Sequence, residues 1–143
     1  MAIEIINRQT TKRLDVRVVR KQIEEILSTL GISGRSACFL LCDRRGIIKL
    51  NKKYFNRSAY TDVISFPLAD KVNPDYLGDA AVSVEEAVKA CRQYGNSWQD
   101  ELLLYLVHAV LHLLGYDDIV PAKRRRMEKK QQEVFDCVKT RKR

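Results

Sequence analysis

Apolar residues recur along this chain in two rhythms that alternate from segment to segment. Ile3-Glu4-Ile5-Ile6 reads as a short opening strand. After Asp15, a residue type that caps helices, Val16, Val19, Ile23, Ile26, Leu27 and Leu30 fall three or four residues apart. That repeat places side chains on one helical face, and Gly31 ends it. Residues 37–42 (ACFLLC) form a continuous apolar run of strand length, expected to be buried on both faces. Residues 44–55 are ambiguous: Ile47, Leu50 and Tyr54 fit helical spacing, but they follow the breaker Gly46. Asp62-Val63-Ile64-Ser65-Phe66 alternates polar with apolar and stops at Pro67, which predicts a strand. A polar loop over 68–76 and a further strand over 77–82 come next.

Helices dominate the second half. Ser83 with Glu86 forms a capping box for a helix running to about Tyr94, and Ser97 with Asp100 opens another in the same way. The segment 101–114 is apolar on every side, the pattern of a central buried helix, and Gly115 stops it. Pro121 suits the first position of a final helix with a narrow apolar stripe of Met127, Val134 and Val138. Strands and helices interleave without a repeat or a dividing linker, so the 143 residues predict one compact α/β or α+β domain.

Composition removes several classes. A chain 45% hydrophobic can bury a core and is not a disordered polymer. The longest apolar stretch, 102–115, is interrupted by two histidines and falls short of the ~20 residues a membrane span needs. The opening residues MAIEIINRQT lack the basic-then-apolar pattern of a secretion signal. Cys38, Cys42, Cys91 and Cys137 show no C-x-x-C spacing and read as free thiols in a reduced, cytoplasmic compartment.

The net charge of +8 is unevenly spread. Residues 1–57 carry 13 basic and 5 acidic side chains, 58–120 carry 3 and 10, and 121–143 carry 10 and 3. Two basic arms thus flank an acidic middle. That distribution suits an anionic polymer, although solvated surface charge explains it equally well from composition alone.

The only two histidines, His108 and His112, stand four apart on the predicted central helix, so both imidazoles leave one face about a turn apart. That spacing can grip one divalent metal ion; the alternative is two core histidines satisfied by hydrogen bonds. Gly115 and Asp118 complete the pattern H-x-x-x-H-x-x-G-x-x-D, in which a glycine turn returns a third ligand beneath the helix. Asp118 also stands where it can cap the helix starting near Pro121. Ala109 occupies the position where H-E-x-x-H peptidases carry their general base, which disfavours peptide hydrolysis. A metal here must activate water unaided, work with a distant base, or act as a Lewis acid on a substrate oxygen.

Residues 108–118 (HAVLHLLGYDD) resemble the H-G-x-x-H-x-x-G-Y-D-H signature of the YbeY family of endoribonucleases. Leu50-Asn51 with Tyr54 resembles that family's L-N-x-x-Y, residues 61–67 (TDVISFP) its P-T-D-V-L-S-F-P, and Leu77-Gly78-Asp79 its L-G-D-I. The likeness covers roughly residues 36–135. It implies a single α+β domain, with a mixed sheet of mostly short strands covered by helices and a zinc site at the end of a buried central helix. It also implies a cytoplasmic endoribonuclease that prefers single strands. Such an enzyme acts in maturation of the 3′ end of small-subunit ribosomal RNA and in ribosome quality control, with RNA and the small ribosomal subunit, not DNA or a membrane, as partners.

On that resemblance His108, His112 and Asp118 hold one Zn2+ per chain. Asp118 replaces the family's third histidine, and its harder oxygen also admits another divalent cation such as manganese. Phe55 stands where the family usually places an arginine after the tyrosine of L-N-x-x-Y. Arg57 is the candidate to reach the same phosphate, with Lys52 or Lys53 assisting; the alternative is an ordinary surface arginine. The rival reading is a non-catalytic RNA- or ribosome-binding assembly factor with a degenerate metal site. The cluster Lys123-Arg124-Arg125-Arg126 is expected to dock RNA independently of the metal.

Overall fold

The computed structural model describes residues 3–56 and 61–141. Strand β1 (Ile3–Asn7) leads into α1 (Val16–Thr29), β2 (Ser36–Cys42) and α2 (Arg44–Phe55). Strands β3 (Val63–Pro67) and β4 (Tyr76–Ser83) follow, then α3 (Val84–Tyr94), α4 (Trp98–Leu113) and α5 (Pro121–Arg141). One mixed sheet has the order β1-β2-β4-β3, with β1, β2 and β4 parallel and β3 antiparallel to β4. The architecture is α+β. No described helix is long and apolar enough to cross a membrane.

Local chemistry sets the helix starts. Asp15 accepts from the Arg17 amide, Ser83 Oγ from the Glu86 amide at 3.1 Å, and Ser97 Oγ from the Asp100 amide at 3.1 Å. Each serves a backbone donor that the first helical turn leaves without a partner. The main core lies between one face of the sheet and α1, α4 and α5, with Phe39, Leu41 and Val82 packed among Ile23, Leu106 and Val110. Helix α4 is buried along most of its length, as its all-round apolar pattern predicts.

Two expectations change. Residues 44–55 are helical, and Gly46 does not break the helix. A Cβ at Gly46 would lie 3.0 Å from the Cys42 Cβ, so the missing side chain lets α2 pack closely on β2. Strand β2 is not buried on both faces. Ala37, Phe39 and Leu41 are buried against the helices, while Cys38 and Leu40 on the opposite face are only half-buried. That face carries the small cluster of Cys42, Ile47, Ile64 and Ala81 beneath α2, which covers only part of it.

Candidate metal centre

His108 and His112 emerge from α4 where the helix runs beside β3 and the start of α5. Ser65 Oγ of β3 donates to the Ala109 carbonyl at 3.3 Å, fixing α4 to the sheet between the two histidines. The helix then ends in a paired turn: the Gly115 amide donates to the His112 carbonyl and the Tyr116 amide to the Leu111 carbonyl, both at 3.0 Å. Gly115 has φ +96°, a conformation that side chains with a Cβ resist. The reversal carries Asp118 back toward the helix. Its carboxylate oxygen lies 3.6 Å from His112 Nε2, and one donor atom from each of His108, His112 and Asp118 lies within 4.8 Å of the others.

The hydrogen bonds decide which nitrogens are available. His112 Nδ1 donates to the Tyr116 carbonyl at 3.1 Å, and His108 Nδ1 to Gln131 Oε1 at 2.8 Å. Each neutral ring therefore keeps its lone pair on Nε2, and these two atoms face each other at 3.0 Å. Burial, then the neighbouring His108, pushes His112 below its ordinary value, with the Asp118 carboxylate opposing. Two unprotonated nitrogens at that separation repel unless a cation lies between them. Tetrahedral zinc, with Zn–N of about 2.0–2.1 Å, sets neighbouring donors about 3.3 Å apart, so the donor set fits such an ion. The group also sits at the C-terminal end of α4, where the helix dipole favours positive charge. The alternative of Asp118 as a helix cap is not seen: α5 begins at Pro121, and Asp118 turns its carboxylate to His112.

Two cavities meet this group. One of about 700 Å3 is lined by His108 and Asp118 and by Asp62, Glu101, Arg124 and Glu128 among others. A second, of about 340 Å3, is lined by His112, Asn51, Phe55, Thr61 and Ser65. Spacing along the chain did not point to Gln131, Asp62 or Arg124. Arg124, read as part of a separate docking cluster, instead donates from Nε to the Asp118 carbonyl at 2.9 Å and lines the larger cavity. The cluster read for docking and the candidate metal centre therefore have this residue in common. Arg57 lies outside the described residues. Lys52 and Lys53 are exposed on the last turn of α2.

The family model for Endoribonuclease YbeY matches residues 4–139. The chain is 34% identical to the Endoribonuclease YbeY of Syntrophus aciditrophicus over 141 residues, covering 94% of this chain and 88% of that protein. It is also 34% identical to the protein of the same name from Carboxydothermus hydrogenoformans over 137 residues, covering 94% and 96%. A solution structure of a Thermotoga maritima protein superposes with a TM-score of 0.70 at 26% identity, covering 95% of this chain and 88% of that one.

Proposed function

The chain belongs to the Endoribonuclease YbeY family, and on that premise we propose that residues 1–143 act as a single metal-dependent endoribonuclease domain. Its substrate is single-stranded RNA, and its work is maturation of the 3′ end of small-subunit ribosomal RNA and ribosome quality control in the cytoplasm. The observation that carries this reading is the pair of Nε2 atoms facing each other at 3.0 Å with a carboxylate beside them. His108, His112 and Asp118 hold one divalent ion, zinc by the nature of the two nitrogen donors. When bound, the ion supplies Lewis-acid polarisation of a phosphate oxygen or activation of a water.

The protein's own groups do the rest. Gln131 and the Tyr116 carbonyl hold the two rings in the tautomer that offers Nε2. Asp62, Glu101, Asp118 and Glu128 make the larger cavity acidic, so it attracts a cation and resists a bare phosphate. Arg124 brings positive charge to that wall, where it can neutralise phosphoryl oxygens. Lys52 and Lys53 serve the same end from the last turn of α2, and Arg57 takes the phosphate contact that the family gives to its arginine. The test is metal content after purification and after loading. The wild type should hold about one equivalent, and His112→Ala should lose it while keeping its helical circular dichroism. A wild type that takes up no stoichiometric metal under any loading condition would remove the centre of the proposal.

A further inference from the structure

Helix α2 ends Lys52-Lys53-Tyr54-Phe55, and both aromatic residues are exposed, Tyr54 by 54% and Phe55 by 48%. They are nevertheless held in place by β3. The Phe55 ring lies parallel to Phe66, with centroids 5.8 Å apart and an interplanar angle of 7°, and Tyr54 meets Phe66 edge-on at 5.0 Å. One face of Phe55 is thus occupied while much of the ring remains open to solvent. Phe55 also lines the cavity that contains His112, so this platform begins at the wall of the candidate metal centre. Beyond it, Tyr54 and Phe66 border a groove of about 470 Å3 bedded with Leu40, Leu50 and Leu68 on the uncovered face of the sheet.

Charge indicates what lies there. Helix α2 carries Arg44, Arg45, Lys49, Lys52 and Lys53 and no acidic residue. The acid in the groove wall, Asp79, is already hydrogen-bonded by the Tyr76 hydroxyl. Lys52 and Lys53 adjoin the two rings in sequence, and the Lys53 ammonium lies 5.2 Å from the centre of the Tyr54 ring. Cations beside a pre-set aromatic face are the arrangement that holds a single strand, with bases on rings and phosphates by lysines. A duplex keeps its bases stacked on one another and has no free face to offer. We propose that Phe55, supported by Phe66 and Tyr54, is a stacking subsite for an unpaired nucleobase flanking the cleaved phosphate. The proposal rests on the endoribonuclease reading above and deepens it. At the position where the resemblance leads one to expect an arginine, this chain places a ring that grips the base, and the phosphate contact falls to its neighbours.

The test measures binding of a short single-stranded RNA across a salt series, beside its cleavage. Phe55→Ala should weaken binding roughly tenfold, the loss of one stacked base, without changing the salt slope. Phe55→Leu, which keeps apolar bulk on Phe66 but lacks a π-face, should lose as much, and Phe55→Trp should restore binding. Within a series of oligonucleotides each missing one base, one should bind the wild type weakly yet show no further loss with Phe55→Ala. Lys52→Gln with Lys53→Gln should flatten the salt slope. If Phe55→Leu binds and cleaves RNA like the wild type, the subsite is wrong and the endoribonuclease reading stands. If the wild type itself neither binds nor cleaves single-stranded RNA, that reading falls and the subsite falls with it.

Discussion

Gln131 stands 23 residues beyond His108, yet its amide oxygen accepts that ring's Nδ1 proton at 2.8 Å and so directs the Nε2 lone pair toward His112. Replacing it with leucine frees the ring to take the other tautomer. Gln131→Leu should lower zinc affinity about 10–100-fold in a competition with a chromophoric chelator, with the fold unchanged. His112 adds a dependence on pH. Burial holds its folded value below 6.5, so between that value and 6.5 the unfolded chain binds more protons than the folded one. Stability of the metal-free protein should therefore rise with pH through this window, read as a higher urea midpoint above pH 6.5 than below it. A flat or falling midpoint would show that His112 is not the neutral ring described. The histidine pair and Asp118 were legible because a helix and a glycine turn relate them over eleven residues, 108–118. Gln131, Asp62 and Arg124 reach the site only through the packing of α5 and β3, which no local pattern encodes.

Among the elements, β4 depends most on a single residue. Gly78 has φ +141°, and a Cβ there would lie 2.1 Å from the Phe66 carbonyl oxygen and 3.0 Å from the Leu68 amide nitrogen. Opposite β2 the register passes from Ser36↔Tyr76 to Ala37↔Gly78, leaving Leu77 as an extra residue, a bulge that glycine accommodates. Gly78→Ala should cost roughly 2–4 kcal/mol in chemical denaturation, since it combines backbone strain with a clash that neither strand can relieve. A change within about 0.5 kcal/mol, ordinary for a surface site, would show that the strand pair relaxes freely. The capped helices α1, α3 and α4 were readable because each announces its start with Asp or Ser. The one-sided burial of β2 was not. An apolar run looks the same whether both faces are covered or one is half open, and only the position of α2 decides.

The charge division takes on a definite shape in the folded molecule. The wall beside His108 and Asp118 draws Asp62 and Glu101 from the acidic middle and Arg124 and Glu128 from the basic C-terminal arm, while α2 reaches the cavity beside His112 through Asn51 and Phe55. Cations at the start of a helix oppose its dipole, so Lys123, Arg125 and Arg126 are better placed for an external anion than for the stability of α5. Neutralising these three should flatten the salt dependence of RNA binding, by about 0.7 for each phosphate they neutralise in the wild type, and leave metal content alone. Arg124→Ala should instead lower metal retention, because it frees the Asp118 carbonyl that Arg124 now holds. Equal metal loss in both variants would mean that the arm is structural throughout. The central claim, that the histidine pair serves metal-dependent RNA cleavage, is tested most directly by a chelator-controlled assay on single-stranded RNA. Cleavage should vanish on exhaustive chelation, return on adding zinc or manganese, and stay absent in His112→Ala whatever metal is supplied. Cleavage that persists without metal, or is undiminished in His112→Ala, would contradict the account.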